Sequence, residues 1–174
     1  MENINIKVLV DEKSLEKRVG ELADELYGIY GDEEVVFVCV LKGSVFFTCD
    51  LMKKYKGDAR IEFLRVSSYE GTESTGKIVL KLPLKEENIK DKHVLIVEDI
   101  IDTGRTLSHL MEVLKVRKPA TLKLCTLLDK PSRRVVDVKV DYTGFEIPDE
   151  FVVGYGLDFA QKYRNLPYIG VVEN

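Results

Sequence analysis

Residues 94–106 constrain the fold and the chemistry of this 174-residue chain more than any other segment. They open with an apolar run, residues 94–97, which is typical of a strand buried on both faces of a parallel sheet. Glu98 and Asp99 follow, where we expect that strand to end, and a short Asp-Thr-Gly-Arg-Thr turn then leads into a predicted helix. A strand, paired acids and a small hydroxyl-containing turn, in this order, predict a site for a phosphorylated sugar.

The turn has the chemistry that a phosphate group requires. Free backbone N–H groups and the positive end of the helix dipole attract an anion to the start of a helix. Gly104 lets the backbone approach that anion closely, and Thr103 and Thr106 offer hydroxyl groups. Glu98 and Asp99 offer acceptors for two sugar hydroxyls or ligands for a hydrated Mg²⁺ ion. Taken alone, the turn is equally consistent with an ordinary strand-to-helix connection capped by threonine. For the two acids, the alternative is that they are solvated loop residues, and this alternative is less favoured.

Strand-like and helix-like segments alternate along the chain, which is typical of an α/β fold with a mainly parallel sheet. The apolar pattern predicts strands at residues 4–10, 35–41, 60–66, 94–97, 121–128, 135–142 and 151–154. Helices are predicted after an N-cap at Ser14, and at residues 47–55 and 107–114. Residues 67–77, with many Ser, Thr, Gly and Glu, predict a long mobile loop. Ligands bind outside the carboxyl ends of parallel strands, and Lys42, Glu98 and Lys130 each follow such an end.

Charge and composition exclude several classes of function. The net charge is −4, so non-specific binding to nucleic acid has no bulk electrostatic support. No apolar run approaches the ~20 residues that span a bilayer, and residues 1–10 lack the apolar core of a signal peptide. Cys39, Cys49 and Cys125 have no metal-ligand spacing and are expected to be reduced, buried thiols. These features predict a cytoplasmic protein of one domain that binds neither nucleic acid nor membranes.

Residues 94–106 resemble the 5-phosphoribosyl pyrophosphate (PRPP) binding motif of the type I phosphoribosyltransferases, which has an apolar strand, two acids, two apolar residues and Asp-Thr-Gly-x-Thr. Other segments are similar to those of family members that act on 6-oxopurines: Leu-Lys-Gly-Ser at 41–44, Ser-Ser-Tyr at 67–69, Asp-Lys-Pro-Ser-Arg-Arg at 129–134, Phe-Val-Val-Gly-Tyr-Gly-Leu-Asp at 151–158 and Tyr-Arg-Asn-Leu-Pro at 163–167. The resemblance implies the type I fold, a mainly parallel twisted sheet flanked by helices, with a small hood formed by residues 1–10 and 150–174.

The resemblance also implies a reaction of purine salvage. In this reaction the 5-phosphoribosyl group of PRPP is transferred, with Mg²⁺, to hypoxanthine or guanine, which gives IMP or GMP and pyrophosphate. Glu98 and Asp99 would bind the ribose hydroxyls, and Asp102, near N7 of the purine, would be the general base. The residues implied for the rest of the ribose 5-phosphate are Thr103, Gly104, Arg105 and Thr106, of which Arg105 occupies a variable position of the motif.

The remaining implied roles concern pyrophosphate, the base and the metal. Pyrophosphate would be bound by Lys42 and Gly43, after a peptide bond that is often cis in this family, and by Arg164. The residues implied for the purine are Lys130, which donates to the 6-oxo group, Phe151, which stacks on the ring, and also Val152 and Asp158. The metal would lie near Glu98, Asp99 and Asp158. Ser68 and Tyr69 would belong to a loop that closes over the reacting centre, and the enzyme would be a homodimer or a homotetramer.

Two other functions fit part of the sequence. Some phosphoribosyltransferase-like domains are regulators that sense PRPP or nucleotides while binding DNA or RNA, but this chain is net acidic and retains Lys130, Phe151 and Asp158. The second alternative is an enzyme for another base, either xanthine or a pyrimidine. Residues 129–131 and 151–152 favour a 6-oxopurine over a pyrimidine, and they do not separate hypoxanthine, guanine and xanthine.

Overall fold

The predicted strand at residues 94–97 lies at the centre of a six-stranded sheet. The computed structural model describes residues 4–68, 78–82 and 84–173. The strands are β1 Asn5–Val10, β2 Val35–Leu41, β3 Ala59–Ser68, β4 Ile78–Leu82, β5 His93–Ile101, β6 Thr121–Asp129, β7 Tyr142–Glu146, β8 Val152–Val153 and β9 Ile169–Glu173. The α-helices are α1 Glu12–Tyr30, α2 Val45–Lys54 and α3 Arg105–Lys115, and short 3-10 turns occur at Glu86–Asn88 and Pro131–Arg133.

Helices cover both faces of this sheet, whose strand order is β4-β3-β2-β5-β6-β7. β4 is antiparallel to β3, and the other five strands are parallel. β2 is apolar and buried because β3 and β5 flank it and its side chains alternate between the two faces. Phe37 belongs to the same buried cluster as α1 and α2, whereas Val36 and Val38 belong to the cluster of α3. The predicted fold class is confirmed.

Helix α1 covers one face because its apolar residues recur at helical spacing, and its buried side chains include Leu15, Val19 and Leu22. The N-cap is Asp11, whose Oδ1 accepts a hydrogen bond from the Ser14 N–H group at 2.7 Å. The prediction of Ser14 as the N-cap is therefore wrong, because the aspartate satisfies that N–H group and starts the helix earlier. Among the described residues, no helix combines the length and the apolar character needed to cross a membrane.

A second, antiparallel sheet joins segments from the two ends of the chain. Its strand order is β1-β9-β8, with Val8 opposite Gly170 and Val152 opposite Val171. This sheet corresponds to the hood that the family resemblance implied. β8 contains Val152, and Phe151 directly precedes it, whereas Glu98 and Asp99 lie on β5 of the six-stranded sheet. The residues expected to bind the purine ring and those expected to bind the ribose thus come from different sheets.

The strand predicted at residues 135–142 is absent: residues 134–141 are irregular, and β7 begins only at Tyr142. The N–H groups of Val135 and Val136 donate to the Thr103 carbonyl oxygen, at 3.0 and 3.1 Å, and not to a strand. Val138 and Val140 still pack against the buried cluster of α3, which explains their alternating pattern.

The prediction of a loop at residues 67–77 is wrong for its first two positions. β3 continues to Ser68, so the first two positions are strand, because β4 pairs with them. Residues 69–77, including Tyr69, lie outside the described residues.

Candidate active site

The two acids lie within β5 and not beyond its end. β5 keeps its ladder with β6 as far as the Ile101–Asp129 pair, whereas its ladder with β2 ends at the Cys39–Val97 pair. The prediction that the strand ends before Glu98 is therefore wrong, because pairing with β6 alone extends the strand. The acids stand on the part of β5 that lies beyond its last pair with β2.

Each acid side chain accepts a hydrogen bond from the backbone. The Asp99 N–H group donates to Glu98 Oε1 at 3.1 Å, and the Ile100 N–H group donates to Asp99 Oδ1 at 2.8 Å. Burial raises the pKa of Glu98 well above its ordinary value, and the charge of Asp99 raises it further. Burial also raises the pKa of Asp99, although its hydrogen bonds and the charge of Arg164 act in the opposite direction. Desolvated, mutually repelling carboxylates gain most from a cation or from hydroxyl donors.

The segment after β2 approaches Asp99 so closely that only glycine fits. The Leu41–Lys42 peptide bond is cis, as the resemblance implied. A Cβ atom on Gly43 would lie 1.5 Å from Asp99 Oδ2. On the other side, a Cβ atom on Gly156 would lie 2.0 Å from the Gly43 carbonyl oxygen. Gly43, one of the residues expected to bind pyrophosphate, is thus in direct contact with Asp99.

The phosphate turn connects β5 to α3. Gly104 has a φ angle of 82°, and a Cβ atom there would lie 2.9 Å from both Arg134 Cδ and the Val136 carbonyl oxygen. The turn forms a pocket of about 220 Å³ together with one of the acids, and its lining consists of Glu98, Ile100, Ile101, Asp102, Thr103, Gly104, Thr106 and Leu107. Arg105 is exposed and does not line it. Helix α3 has 11 residues, enough for its N-terminal dipole to favour an anion here.

A cluster of two cations and one acid surrounds Gln161. Lys42 Nζ donates to Gln161 Oε1 at 3.0 Å, and Arg164 Nη2 lies 3.4 Å from the same oxygen. Arg164 Nη2 also pairs with Asp158 Oδ1 at 2.7 Å, and its Nη1 donates to the Gly156 carbonyl oxygen at 2.6 Å. Two cations that share one neutral acceptor form a suitable site for a polyanion such as pyrophosphate.

The lysine expected to bind the base is buried, unlike most lysines. Lys130 is 8% exposed, and its Nζ lies 3.6 Å from Asp149 Oδ1. Asp149 Oδ2 lies 3.7 Å from Arg133 Nη1, and Arg133 Nε donates to Asp102 Oδ1 at 3.1 Å. These contacts connect the expected donor to the purine with the expected general base.

An exposed aromatic ring lies at the edge of the hood. Phe151 is 53% exposed and packs edge-to-face against Phe159, with ring centroids 5.6 Å apart. Its backbone is fixed, because the Val172 N–H group donates to the Phe151 carbonyl oxygen at 3.0 Å. Val152 follows in β8 and is buried. A ring that is exposed on one side and supported on the other is suited to stack on a flat ligand.

Four residues of this arrangement were not assigned from the sequence: Arg133, Asp149, Phe159 and Gln161. Arg133 lies within a segment that resembles the family, but only its contact with Asp102 gives it a role. Asp149 and Gln161 are ordinary loop residues by sequence. Phe159 follows Asp158 directly, yet an isolated aromatic residue gives no signal that separates a ligand contact from packing.

The acids suit a Mg²⁺ ion that is shared with a substrate. Among the residues described, no three His, Cys, Asp or Glu side chains converge on one point as a protein-only metal site requires. Mg²⁺ usually keeps several waters and binds through one or two carboxylates together with substrate phosphates. Glu98 and Asp99, desolvated and adjacent, offer carboxylates of that kind. Asp158, which is also expected near the metal, pairs with Arg164 and does not form a three-acid group with them among the described residues.

Comparison with known proteins gives consistent matches over nearly the whole chain. The family model for the phosphoribosyl transferase domain matches residues 5–160. A hypoxanthine phosphoribosyltransferase of Salmonella typhimurium is 48% identical, over 96% of this chain and 95% of that protein. A hypoxanthine-guanine-xanthine phosphoribosyltransferase of Tritrichomonas foetus is 46% identical, over 96% and 91%. The crystal structure of a hypoxanthine-guanine phosphoribosyltransferase from Bacillus anthracis superposes with a TM-score of 0.92 at 49% identity and covers 97% of this chain and 100% of that one.

Proposed function

Since the chain belongs to the phosphoribosyltransferase family, we propose that it transfers the 5-phosphoribosyl group of PRPP to hypoxanthine or guanine in purine salvage. The products are IMP or GMP and pyrophosphate. The observation that carries this proposal is that the expected subsites are contiguous. Gly43 of the pyrophosphate segment lies against Asp99, and Asp102 of the phosphate turn connects through Arg133 and Asp149 to Lys130.

The sugar phosphate is bound by β5 and the turn that follows it. Glu98 and Asp99 accept hydrogen bonds from the ribose hydroxyls, and N–H groups at the start of α3 bind the 5′-phosphate. Thr103 and Thr106 add hydroxyl groups. Because the turn and Glu98 line one pocket, the ribose is held at both ends and its C1′ atom has a fixed position.

The leaving group is bound on the opposite side of C1′. Pyrophosphate gains negative charge as its bond to C1′ breaks, and Lys42 and Arg164 neutralise part of that charge. Glu98, Asp99 and Asp158 are the residues that would hold Mg²⁺, which would supply further charge stabilisation when bound. The Gly43 backbone lies close to Asp99, and a side chain at this position would prevent that approach.

The acceptor is held by the hood and by the loop after β6. Phe151 stacks on the purine, Val152 offers backbone groups, and Lys130 donates to the 6-oxo group. Asp102 takes the proton that the purine loses from its imidazole ring as N9 attacks C1′.

A direct assay tests this function. Purified protein with Mg²⁺ and PRPP converts hypoxanthine or guanine to the nucleotide and releases pyrophosphate, whereas adenine, which lacks a 6-oxo group, is a poor acceptor. Xanthine belongs in the same assay because the Tritrichomonas foetus relative is named for all three 6-oxopurines. Lack of turnover with every 6-oxopurine contradicts the proposal.

Replacement of the base-binding lysine separates the two substrates. Lys130→Ala removes a charged donor to the 6-oxo group, so KM for hypoxanthine should rise roughly 10–100-fold while KM for PRPP changes little. Steady-state kinetics with each substrate varied in turn measures both constants. Lys17→Ala, at a lysine that is 80% exposed on α1, is the matched control and should change neither. An equal loss for both substrates would refute the role of Lys130.

The enzyme is further proposed to be a cytoplasmic homodimer or homotetramer. The three free thiols, two of them buried, are those expected of a reducing compartment. A cleft of about 600 Å³ lies between α1, α2 and residues 165–167, and Phe46 at this cleft is 42% exposed. We place the contact with a second copy at this cleft. Light scattering should give two or four times the 19.8 kDa of one chain.

A further inference from the structure

Four charged side chains form a continuous series between the turn after β5 and the loop after β6. Asp102 Oδ1 accepts a hydrogen bond from Arg133 Nε at 3.1 Å, and Arg133 Nη1 lies 3.7 Å from Asp149 Oδ2. The other oxygen of Asp149 lies 3.6 Å from Lys130 Nζ. Both ends of the series are residues that the proposed function assigns to the purine, and the two members between them have no role in it.

The backbone around Asp102 is fixed independently of this series. Arg134 Nε donates to the Asp102 carbonyl oxygen at 3.2 Å. The Thr103 carbonyl oxygen accepts from the N–H groups of Val135 and Val136 at 3.0 and 3.1 Å. The main chain of the turn therefore cannot shift easily, but these bonds leave the side-chain torsions of Asp102 free.

Arg133 is the group that restrains those torsions. The Asp102 side chain is 43% exposed, and in the described part of the chain Arg133 is the only side chain that hydrogen-bonds its carboxylate. A guanidinium group is a rigid, planar set of donors, so it can hold two carboxylates at a fixed separation. Lysine has a single flexible point charge and cannot do so.

We propose, on the basis of the function above, that Arg133 is a positioning residue that orients the Asp102 carboxylate toward the purine. Through Asp149, Arg133 also fixes the position of Asp102 relative to Lys130. The carboxylate that removes the proton and the ammonium group that holds the 6-oxo oxygen therefore keep a constant separation. Arg133 does not contact the reacting atoms.

This series of charged side chains contributes little to the stability of the fold. Arg133 is 49% exposed and Asp149 is 52% exposed, and exposed ion pairs contribute little to stability. Their replacement should therefore leave the melting temperature almost unchanged, and an effect on catalysis can be measured without an effect on the fold.

The experiment is a double-mutant cycle in steady-state kinetics with hypoxanthine and PRPP. Arg133→Gln should lower kcat about tenfold, because an Asp102 carboxylate that is not held by Arg133 adopts the reactive geometry less often. KM for PRPP should stay within about twofold, since no sugar contact is lost. In the Asp102→Asn background the same change should have no further effect, because there is no base left to orient. Arg133→Lys, which keeps the charge but not the planar group, should recover part of kcat.

Arg60→Gln is the matched control. Arg60 is 46% exposed and pairs with Glu34 at 3.4 Å, away from the purine residues, so its loss should leave kcat unchanged. The inference is overturned if Arg133→Gln has full activity, if its loss of kcat is equally large in the Asp102→Asn background, or if KM for PRPP rises in proportion. These outcomes are distinct from failure of the proposed function, which would appear as absent turnover in the unmodified enzyme.

Discussion

Asp102→Asn is expected to lower kcat with hypoxanthine by roughly 10²–10⁴-fold. An amide has nearly the shape of the carboxylate and can still accept the hydrogen bond from Arg133, but it cannot take up the proton that the purine must lose. The side chain is 43% exposed and is not part of the core, so the fold should be retained. PRPP affinity, measured by calorimetry with Mg²⁺ present, should stay within about twofold, because in the proposed site the 5′-phosphate is bound mainly by N–H groups of the turn.

The exposed Asp137, on the irregular segment near the same turn, provides the control. Asp137→Asn makes the same chemical change and should leave kcat and PRPP affinity unaltered. If Asp102→Asn instead abolishes PRPP binding, Asp102 holds the sugar phosphate or the turn itself, and another group must accept the proton.

Gly43→Ala should lower the activity by a similar factor, but by displacing a carboxylate and not by removing the general base. The added methyl group would lie 1.5 Å from Asp99 Oδ2, and the glycine cannot move away because its carbonyl oxygen is packed against Gly156. The Asp99 carboxylate must therefore move, and with it an expected ligand of the ribose and of Mg²⁺. A displacement of about 1 Å at such a group lowers kcat/KM roughly 10²-fold, and we expect this decrease in kcat/KM for PRPP.

Gly28→Ala is the same substitution at a glycine inside α1, where an added Cβ atom meets nothing within 4 Å. It should leave kcat/KM for PRPP unchanged and raise the free energy of unfolding by roughly 0.5–1 kcal/mol, because alanine is the better helix former. Normal PRPP kinetics in Gly43→Ala would show that the close contact with Asp99 has no functional importance.

The local parts of the site could be predicted from the sequence. Residues 94–106 contain the strand, the acids, the phosphate turn and the start of α3 in one continuous stretch, so their spacing alone restricts the chemistry. Lys130 and Phe151 needed the family resemblance, because an isolated lysine or phenylalanine is more often a surface or core residue. The order of the family-like segments along the chain is what distinguished Lys130 and Phe151 from ordinary surface or core residues.

The contacts that complete the site join residues distant in sequence. Gly43, Asp99 and Gly156 meet at separations that no hydrophobic period reveals, and the contact of Gln161 with Lys42 joins the hood segment to the end of β2. Arg133, which contacts Asp102, directly precedes an irregular segment in which the N–H groups of Val135 and Val136 donate to the Thr103 carbonyl oxygen. The same tertiary bonds explain why the alternating valines of that segment did not predict its structure.

The predicted strand boundaries were wrong where pairing with a neighbouring strand determines the end of a strand. β5 passes through the acids because β6 continues to pair with it, and β3 extends to Ser68 because β4 pairs with it. β4, β7 and β9 were not predicted, since short strands of mixed composition have weak periodic signals.

The hood has a consequence for how the enzyme matures on the ribosome. β8 has only two residues and pairs with β9, which in turn pairs with β1, so Val152 has no strand partner until residues 169–173 have been synthesised. A two-residue strand is not stable alone. The strands that carry the acids and the phosphate turn are complete much earlier in the chain. We therefore expect a nascent chain to be able to form the proposed sugar-phosphate pocket before it can form the hood that is proposed to bind the base.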